Sequence, residues 1–232
     1  MLRLCPTHGR SGSPGVNGAV GWLWTLAFCV MIGGDSKLVV DGSSLAHHLY
    51  KLANLDQNHG GEYLAFQAEV QAFFKTLDNC QIKAYVVIDG GSGASDKLTH
   101  RMDRQRTRVK KIPDALKGGK RDFYALFTTT VFEQTLNNMK VPLVRCFGEA
   151  DGQLAALARE WCCPVLSGDT DFYIYDLPEG VLPLHHYQWD SVKPSGARSY
   201  ISCKRYTMSK FCVLQHRPPA AARLRRFGRE RL

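Results

Sequence analysis

Six acidic residues end, or closely follow, short apolar runs of the sequence: Asp41, Asp89, Glu149, Asp151, Asp169 and Asp171. Carboxylates gathered in one cleft repel each other and retain protons unless cations neutralise them. Oxygen ligands of this kind select hard cations such as Mg²⁺ or Mn²⁺. Two such ions about 4 Å apart can clamp the attacking water and the leaving oxygen of a phosphodiester. The six acids therefore predict a site for metal-assisted hydrolysis.

The elements predicted around these acids bring them to one edge of a sheet. Apolar runs that end at Asp41 and Asp89 predict the first two strands. The second half of the chain predicts a buried strand, a helix and another strand, over 141–147, 149–161 and 164–166. Strands alternating with helices indicate an α/β fold, with a parallel twisted sheet and helices on both faces. In such sheets, ligands bind outside the carboxyl ends of the strands, where these acids fall.

The remaining elements are predicted from apolar periodicity and turn residues. Ser43 or Ser44 is expected to cap a helix after the first strand. Residues 62–77 carry apolar side chains at helical spacing, which indicates a core helix and not a cofactor site. A further amphipathic helix and a hairpin of two short strands are predicted over 123–139, 172–175 and 181–184.

A basic segment lies between the second strand and the 123–139 helix. Residues 96–111 contain seven Lys/Arg and few apolar side chains, so they cannot form a core helix. Side chains three and four residues apart share a helical face, which aligns Lys97, Arg101, Arg104 and Arg108. We predict that this stripe, with Lys110 and Lys111, holds phosphates near the metal ions. A solvated helix face is the alternative.

Size and composition fit one ordinary domain with appendages. The chain has 232 residues, of which 44% are hydrophobic, enough for one core but not for a second full domain. We divide it into an irregular leader over 1–34, a domain over 35–212 with a basic helical segment at 96–121, and a disordered basic tail over 213–232.

Charge and cysteine usage narrow the class of protein. The net charge is +9, and residues 204–232 hold nine Lys/Arg against one acid, so the tail supplies most of it. The positive net charge is therefore a property of the tail more than of the folded core. Eight cysteines without a C-x-x-C pair indicate an intracellular protein with reduced thiols and no zinc site. Residues 19–32 are mostly apolar but shorter than the roughly 20 residues of a spanning helix, so we expect no membrane contact and keep a weak signal peptide as the alternative.

Four motifs in this order resemble one known superfamily. They are VVDGSSLAHHLY at 39–50, YVVIDGG at 85–91, GEADGQLAALA at 148–158 and LSGDTDF at 166–172. Together they resemble the nuclease core of the flap endonuclease and XPG superfamily, which has a PIN-like, Rossmann-like fold. The asteroid branch of that superfamily is the most similar, over residues 36–212.

The resemblance implies a Mg²⁺- or Mn²⁺-dependent, structure-specific DNA endonuclease that cuts single-stranded, flap or overhang DNA. By that resemblance one ion would be bound by Asp41, Asp89, Glu149 and Asp151, and the second by Asp169 and Asp171. Lys97 and Arg104 would match the basic pair that contacts the scissile phosphate. A nuclear location would fit this activity.

Three departures from the family pattern keep another function open. Residues 1–34 do not match its Met-Gly-Ile-x-Gly-Leu start, and its further Asp in a Gly-x-Asp context is absent, so we expect both ends to be replaced. Gly148 stands where Ser is usual, and Gly152 where asteroid proteins tend to carry Arg. The alternative is a catalytically impaired nucleic-acid-binding or signalling adaptor with the same fold. A phosphatase with an Asp-x-Asp nucleophile is disfavoured, because Asp41-Gly42-Ser43 lacks the second Asp.

Overall fold

The structure, a computed structural model, describes residues 3–4, 28–57, 61–90, 102–103, 106–107, 110, 125–196 and 198–208. In this part of the chain the strands are β1 (Arg3–Leu4), β2 (Phe28–Ile32), β3 (Ser36–Asp41), β4 (Ile82–Ile88), β5 (Leu143–Arg145), β6 (Val165–Ser167), β7 (Val181–Pro183), β8 (Gln188–Ser195) and β9 (Arg198–Arg205). The α-helices are α1 (Gly42–Leu52), α2 (Tyr63–Asn79), α3 (Thr128–Asn138) and α4 (Asp151–Glu160). Short 3₁₀-helices follow β6 and β7, at Thr170–Ile174 and Leu184–His186.

The centre of the fold is a parallel sheet of five strands in the order β5-β4-β3-β6-β7. Successive side chains of a strand point to opposite faces, and the central strand β3 is buried on both. Leu38 and Val40 face a core formed with α1, α2 and α3, whereas Val39 faces a second core formed with α4. This double covering explains apolar runs without polar alternation. It confirms the predicted α/β fold with helices on both faces.

Helix α2 supplies several of the largest side chains of the first core. Its buried residues are at most 3% exposed and comprise Phe66, Val70, Phe73, Phe74 and Leu77. Spacings of three and four residues place them on one side of the helix. Burial of each stabilises the fold by about 1.5–3 kcal/mol relative to exposure. Helix α2 thereby fixes the sheet that carries the acidic residues, and the predicted core helix is confirmed.

A second, antiparallel sheet of four strands, in the order β1-β2-β9-β8, packs against the same core. The structure differs here from the irregular leader predicted over 1–34, because Phe28–Ile32 is a strand that pairs with β9. Val30 and Ile32 are at most 1% exposed, and pairing satisfies the backbone groups that their burial removes from water. The ring of Trp189 on β8 lies 5.4 Å from that of Phe73. The domain limits themselves stay predictions.

The hairpin predicted over 172–175 and 181–184 is wrong. Its first segment belongs to a 3₁₀-helix, because the carboxylate of Asp169 accepts a hydrogen bond from the N–H of Asp171 at 3.0 Å and caps the first turn. Its second segment is β7, which runs parallel to β6 at the sheet edge. Local capping thus overrides the β-propensity of the aromatic and β-branched residues that follow.

Two further expectations about strand ends are corrected. The strand predicted as buried over 141–147 is β5, which has 3 residues and lies at the sheet edge with Val144 61% exposed. The cap of α1 is Asp41 instead of Ser43 or Ser44, since its carboxylate accepts a hydrogen bond from the N–H of Ser44 at 3.0 Å. Carboxylates are preferred at this position, so the helix begins directly after β3.

Most of the predicted basic stripe lies outside the described residues, namely Lys97, Arg101, Arg104, Arg108 and Lys111. The described residues of that segment are helical, and Lys110 is exposed. The hydroxyl of Thr107 donates a hydrogen bond to the carbonyl of Asp103 at 2.8 Å, as within a helical turn. Residues 213–232, predicted as a tail, are outside the description too. Among the helices that are described, none has the length and apolar character that crossing a membrane demands.

Candidate metal centre

The acidic residues lie where the strand order of the parallel sheet reverses. Strand β3 has β4 on one side and β6 on the other, although the chain visits β4 and β5 before it returns to β6. Asp41 is the last residue of β3, Asp89 directly follows β4, and Asp169 follows β6 by two residues. Ligands bind at such switch points, outside the carboxyl ends of the strands.

Three of the carboxylates form a compact group. One oxygen atom each of Asp151, Asp169 and Asp171 lies within 4.8 Å of the others. Asp151 is the first residue of α4, and Asp171 stands in the 3₁₀-helix after β6. Clustered carboxylate oxygens are the donor set of hard divalent cations. The residues present therefore fit a divalent metal ion.

Asp41 is the most buried of the six acids, with 6% of its surface exposed. One carboxylate oxygen accepts the N–H of Ser44, and the other accepts the hydroxyl of Ser167 at 2.6 Å. Burial raises the pKa of Asp41, and the negative charges of Asp89 and Asp169 add to the rise, while the bonds from Ser167 and Ser44 oppose it. This side chain is therefore held in one orientation within the reach of its acidic neighbours.

Asp151 has a strongly raised pKa. The pKa of Asp151 is raised to about 6. Burial is the largest cause, followed by the negative charges of the neighbouring carboxylates in the order Asp169, Asp41, Asp89 and Glu149. These influences show that the structure brings the predicted acids together, with Asp171 joined to them through its short distance to Asp151 and Asp169. A bound cation would favour the ionised form and reverse the shift.

Asp89 ties the end of β4 to the start of α4. Its carboxylate accepts the N–H of Ala150 at 2.8 Å, which places Glu149 and Asp151 on either side of this bond. The N–H of Asp89 in turn donates to the hydroxyl of Ser43 at 3.2 Å. Glu149 itself is exposed. A single carboxylate thus sets the position of the neighbouring pair.

Glycine is required where the loops after β4 and β5 meet. A Cβ atom on Gly90 would lie 1.7 Å from the carbonyl oxygen of Cys146, a distance that no side chain can occupy. The close approach allows the N–H of Gly90 to donate to the carbonyl of Gly148 at 2.8 Å, and the N–H of Cys146 to donate to that of Ile88 at 2.9 Å. The segment that leads into Glu149 is therefore bound firmly to the end of β4.

Three serines position the acids and were not predicted as part of the site. The hydroxyl of Ser167 accepts the N–H of Asp169 at 3.0 Å while it donates to Asp41. The hydroxyl of Ser44 accepts the N–H of Gly168 at 2.9 Å, and that of Ser43 accepts the N–H of Asp89. The loops after β3, β4 and β6 are thus joined by side-chain hydroxyls. The only sequence signal is the placement of these serines inside the DGSS and LSGD motifs.

The chain has relatives among characterised proteins. Residues 94–216, more than half of the chain, match the family described as XPG domain containing. Single-strand DNA endonuclease ASTE1 of Danio rerio is 41% identical over 181 residues, which is 77% of this chain and 26% of that protein. Protein asteroid of Drosophila melanogaster is 38% identical over 144 residues, or 62% of this chain and 17% of that protein. The chain spans about a quarter or less of the length of these curated relatives.

The fold also has a counterpart among solved structures. The catalytic core of Rad2 in complex with DNA substrate is similar with a TM-score of 0.53, and the match covers 86% of this chain and 57% of that one. At 17% identity this likeness bears on the fold alone. The residues that match the family include Glu149, Asp151, Asp169 and Asp171. Asp41 and Asp89 precede the matched range, and the fold brings them to the same edge of the sheet. The motif resemblance is confirmed: this chain belongs to the XPG-domain family and is similar in sequence to proteins of the asteroid branch.

Proposed function

We propose that this chain is a structure-specific DNA endonuclease that hydrolyses phosphodiester bonds with two Mg²⁺ or Mn²⁺ ions. The observation that carries the proposal is the group of Asp151, Asp169 and Asp171, whose oxygen atoms lie within 4.8 Å of each other at the carboxyl edge of the sheet. Membership of the XPG-domain family supports it. So do the name of the Danio rerio relative, a single-strand DNA endonuclease, and the DNA substrate of the Rad2 core.

The carboxylates divide into two sets in this proposal. Asp169 and Asp171 would hold one ion, and the other would be held by Asp41, Asp89, Glu149 and Asp151. Such ions, when bound, neutralise the charge that develops on the phosphate and make water a better nucleophile at neutral pH. The hydroxyl of Ser167 keeps Asp41 and the backbone of Asp169 in register. Asp151, whose pKa burial and its acidic neighbours raise to about 6, is mostly ionised at neutral pH and would be available as a ligand there.

Selection of the substrate would depend on the shape of the strand. Phosphate contacts position a nucleic acid but carry no base sequence. Lys97 and Arg104 are proposed to contact the scissile phosphate, with Arg101, Arg108, Lys110 and Lys111 as further phosphate contacts. We propose single-stranded, flap or overhang DNA as the substrate, the nucleus as the location, and DNA repair as the process served.

The test is a cleavage assay on the purified chain. Single-stranded, flap and overhang DNA of one sequence, with a fully paired duplex as the control, are incubated with Mn²⁺ or Mg²⁺, with and without EDTA. We expect cleavage of at least one of the three structures that EDTA abolishes. Cleavage that survives EDTA, or equal cleavage of the duplex, would contradict the proposal.

A calorimetric Mn²⁺ titration separates the enzyme from an adaptor that only shares the fold. Two binding sites are expected of the enzyme. Asp169→Asn is expected to weaken the site formed by Asp169 and Asp171, and Asp41→Asn is expected to weaken the other. The adaptor is expected to bind DNA without metal-dependent cleavage and to show no tight Mn²⁺ site in the titration.

A further inference from the structure

Among the aromatic residues that the structure describes, Phe147 stands out because it is completely exposed, at 101% of the reference value. Phe66, Phe73 and Phe132, by comparison, are at most 1% exposed. Aromatic rings contribute most to stability when they are buried. A ring left wholly in water, two residues before Glu149, therefore contributes nothing to this fold by packing and is available to a ligand.

The backbone that carries Phe147 is held in place on both sides. The N–H of Cys146 donates to the carbonyl of Ile88, and the carbonyl of Gly148 accepts the N–H of Gly90 at 2.8 Å. A Cβ atom on Gly90 would lie 2.7 Å from the carbonyl carbon of Phe147, so the two backbones are in contact. The ring is consequently presented by a fixed backbone, and only its side-chain rotamer has to be ordered when a ligand binds.

The same contacts place Phe147 at the rim of the acidic group. It touches the glycine that follows Asp89, and consecutive Cα atoms are only about 3.8 Å apart, so Phe147 and Glu149 are close neighbours. A phosphate drawn to cations held by the carboxylates would bring its own nucleotide within reach of the ring. An uncharged aromatic face accepts any base by stacking, without reading its edge.

We propose that Phe147 is a base-stacking platform for the nucleotide next to the scissile phosphate. The proposal rests on the DNA endonuclease function proposed above and adds a source of its selectivity. A base in a duplex is already stacked on both faces, whereas an unpaired base offers a free one. Phe147 therefore favours an unpaired nucleotide beside the metal centre, whatever its base.

The test compares Phe147→Ala and Phe147→Trp with a matched control, Val144→Ala. Val144 is also an exposed apolar residue, on the adjoining strand β5. With a single-stranded oligonucleotide and Mn²⁺, we expect Phe147→Ala to lose about five- to hundredfold in kcat/KM. Phe147→Trp keeps a stacking face and is expected to stay within about threefold of the wild type, and Val144→Ala is expected to be unchanged.

A second arm moves one abasic site along the oligonucleotide. At one position only, the abasic site is expected to lower the kcat/KM of the wild type about as much as the Phe147→Ala substitution does. The same abasic site is expected to leave the kcat/KM of Phe147→Ala unchanged. An abasic penalty that persists in Phe147→Ala overturns the proposal, as does an equal loss in Val144→Ala. A fall in the unfolding midpoint of Phe147→Ala that accounts for its loss of activity also overturns it, since the ring would then be structural.

A binding arm keeps this test independent of cleavage. Oligonucleotides with 2-aminopurine at successive positions are titrated with each variant in Mn²⁺, and stacking on the ring is expected to quench one position in the wild type but not in Phe147→Ala. If the wild type quenches without cutting, the endonuclease function fails while the stacking role stands. Identical fluorescence for both variants at every position overturns the stacking role.

Discussion

The hydroxyl of Ser167 donates a hydrogen bond of 2.6 Å to the carboxylate of Asp41, the shorter of the two side-chain bonds that hold this acid. The two residues belong to different strands, β6 and β3, and both are almost fully buried. The same hydroxyl accepts the N–H of Asp169. One side chain thus fixes an acid from each half of the candidate metal centre.

Replacement of Ser167 by alanine is expected to weaken both folding and metal binding. The buried oxygen of Asp41 would lose its donor, which lowers the free energy of unfolding by about 1–3 kcal/mol. Loss of such an outer contact lowers metal affinity by about 10–100-fold. Denaturant unfolding and Mn²⁺ calorimetry measure the two effects. Ser191→Ala, at an exposed position of β8, is the control, and equal affinities in both variants would contradict the positioning role.

Asp169→Asn and Asp41→Asn test the carboxylates directly. Asparagine keeps the size and the capping oxygen but removes the charge, so we expect the fold to persist and metal-dependent DNA cleavage to fall by more than about a hundredfold. Cleavage rates at saturating Mn²⁺ and circular dichroism report the two outcomes. Asp190→Asn, an exposed acid of β8, should cleave as the wild type does. Unchanged cleavage in either test variant would argue against a ligand role for that residue.

Metal affinity is expected to depend on pH through Asp151. Its pKa is about 6 in the folded chain against an ordinary value of 3.8, so below pH 6 a cation must displace a proton. Mn²⁺ affinity should fall by up to about tenfold per pH unit below that point. Calorimetry in two buffers of different ionisation enthalpy measures both affinity and proton release. Asp151→Asn should bind more weakly but without this proton release, and a wild-type affinity that is flat from pH 5 to 7 would refute the assignment.

The same pKa makes the metal-free protein less stable as its carboxylates ionise. A pKa raised on folding favours the protonated form, so the stability that Asp151 contributes is present below pH 3.8 and is lost as the pH rises through about 6. Burial also raises the pKa of Asp41, which acts in the same direction. We expect Mn²⁺ to raise the Tm at pH 7.5 more than at pH 5.5. Thermal unfolding with Mn²⁺, and with NaCl at equal ionic strength as the control, measures this difference.

Two glycines near the acids should respond in opposite ways to alanine. Gly90→Ala forces a Cβ atom against the carbonyl oxygen of Cys146 and is expected to destabilise the fold by about 1–3 kcal/mol or more. Gly152, in the first turn of α4, has no atom within 4 Å of an added Cβ. Gly152→Ala should therefore stabilise the helix by about 0.5–1 kcal/mol. Free energies of unfolding from denaturant titrations give both values, and equal signs would contradict the local packing described.

The sequence was sufficient to predict the parallel sheet and the acids at its edge. Strands buried on both faces are continuous apolar runs, and parallel strands must end on the same side, so the positions of Asp41 and Asp89 followed from the pattern alone. The helical stripe of α2 was equally readable, because its period is set by helix geometry. These are features in which local pattern and tertiary structure agree.

Other features depend on partners that are distant in sequence. Strand β2 was not predicted, since its pairing with β9 joins residues far apart in sequence: the thiol of Cys203 donates to the carbonyl of Val30 across 173 positions. The hydroxyl bond from Ser167 to Asp41 spans 126 positions. The exposure of Phe147 was missed because the apolar run 141–147 predicts a buried strand, whereas the observed strand ends at Arg145 and leaves Phe147 in the loop that follows. No local period encodes any of these relationships.

The pairing of β2 with β9 also orders events during synthesis. A ribosome completes all six carboxylates before it makes β9, so a nascent chain can hold the whole acid set while β2 still lacks its neighbour. Pairings across long sequence separations form slowly, and an unpaired apolar edge invites association with other chains. We therefore expect closure of β2 onto β9 to be a late step of folding, and the unpaired edge of β2 to be a site of association with other chains until then.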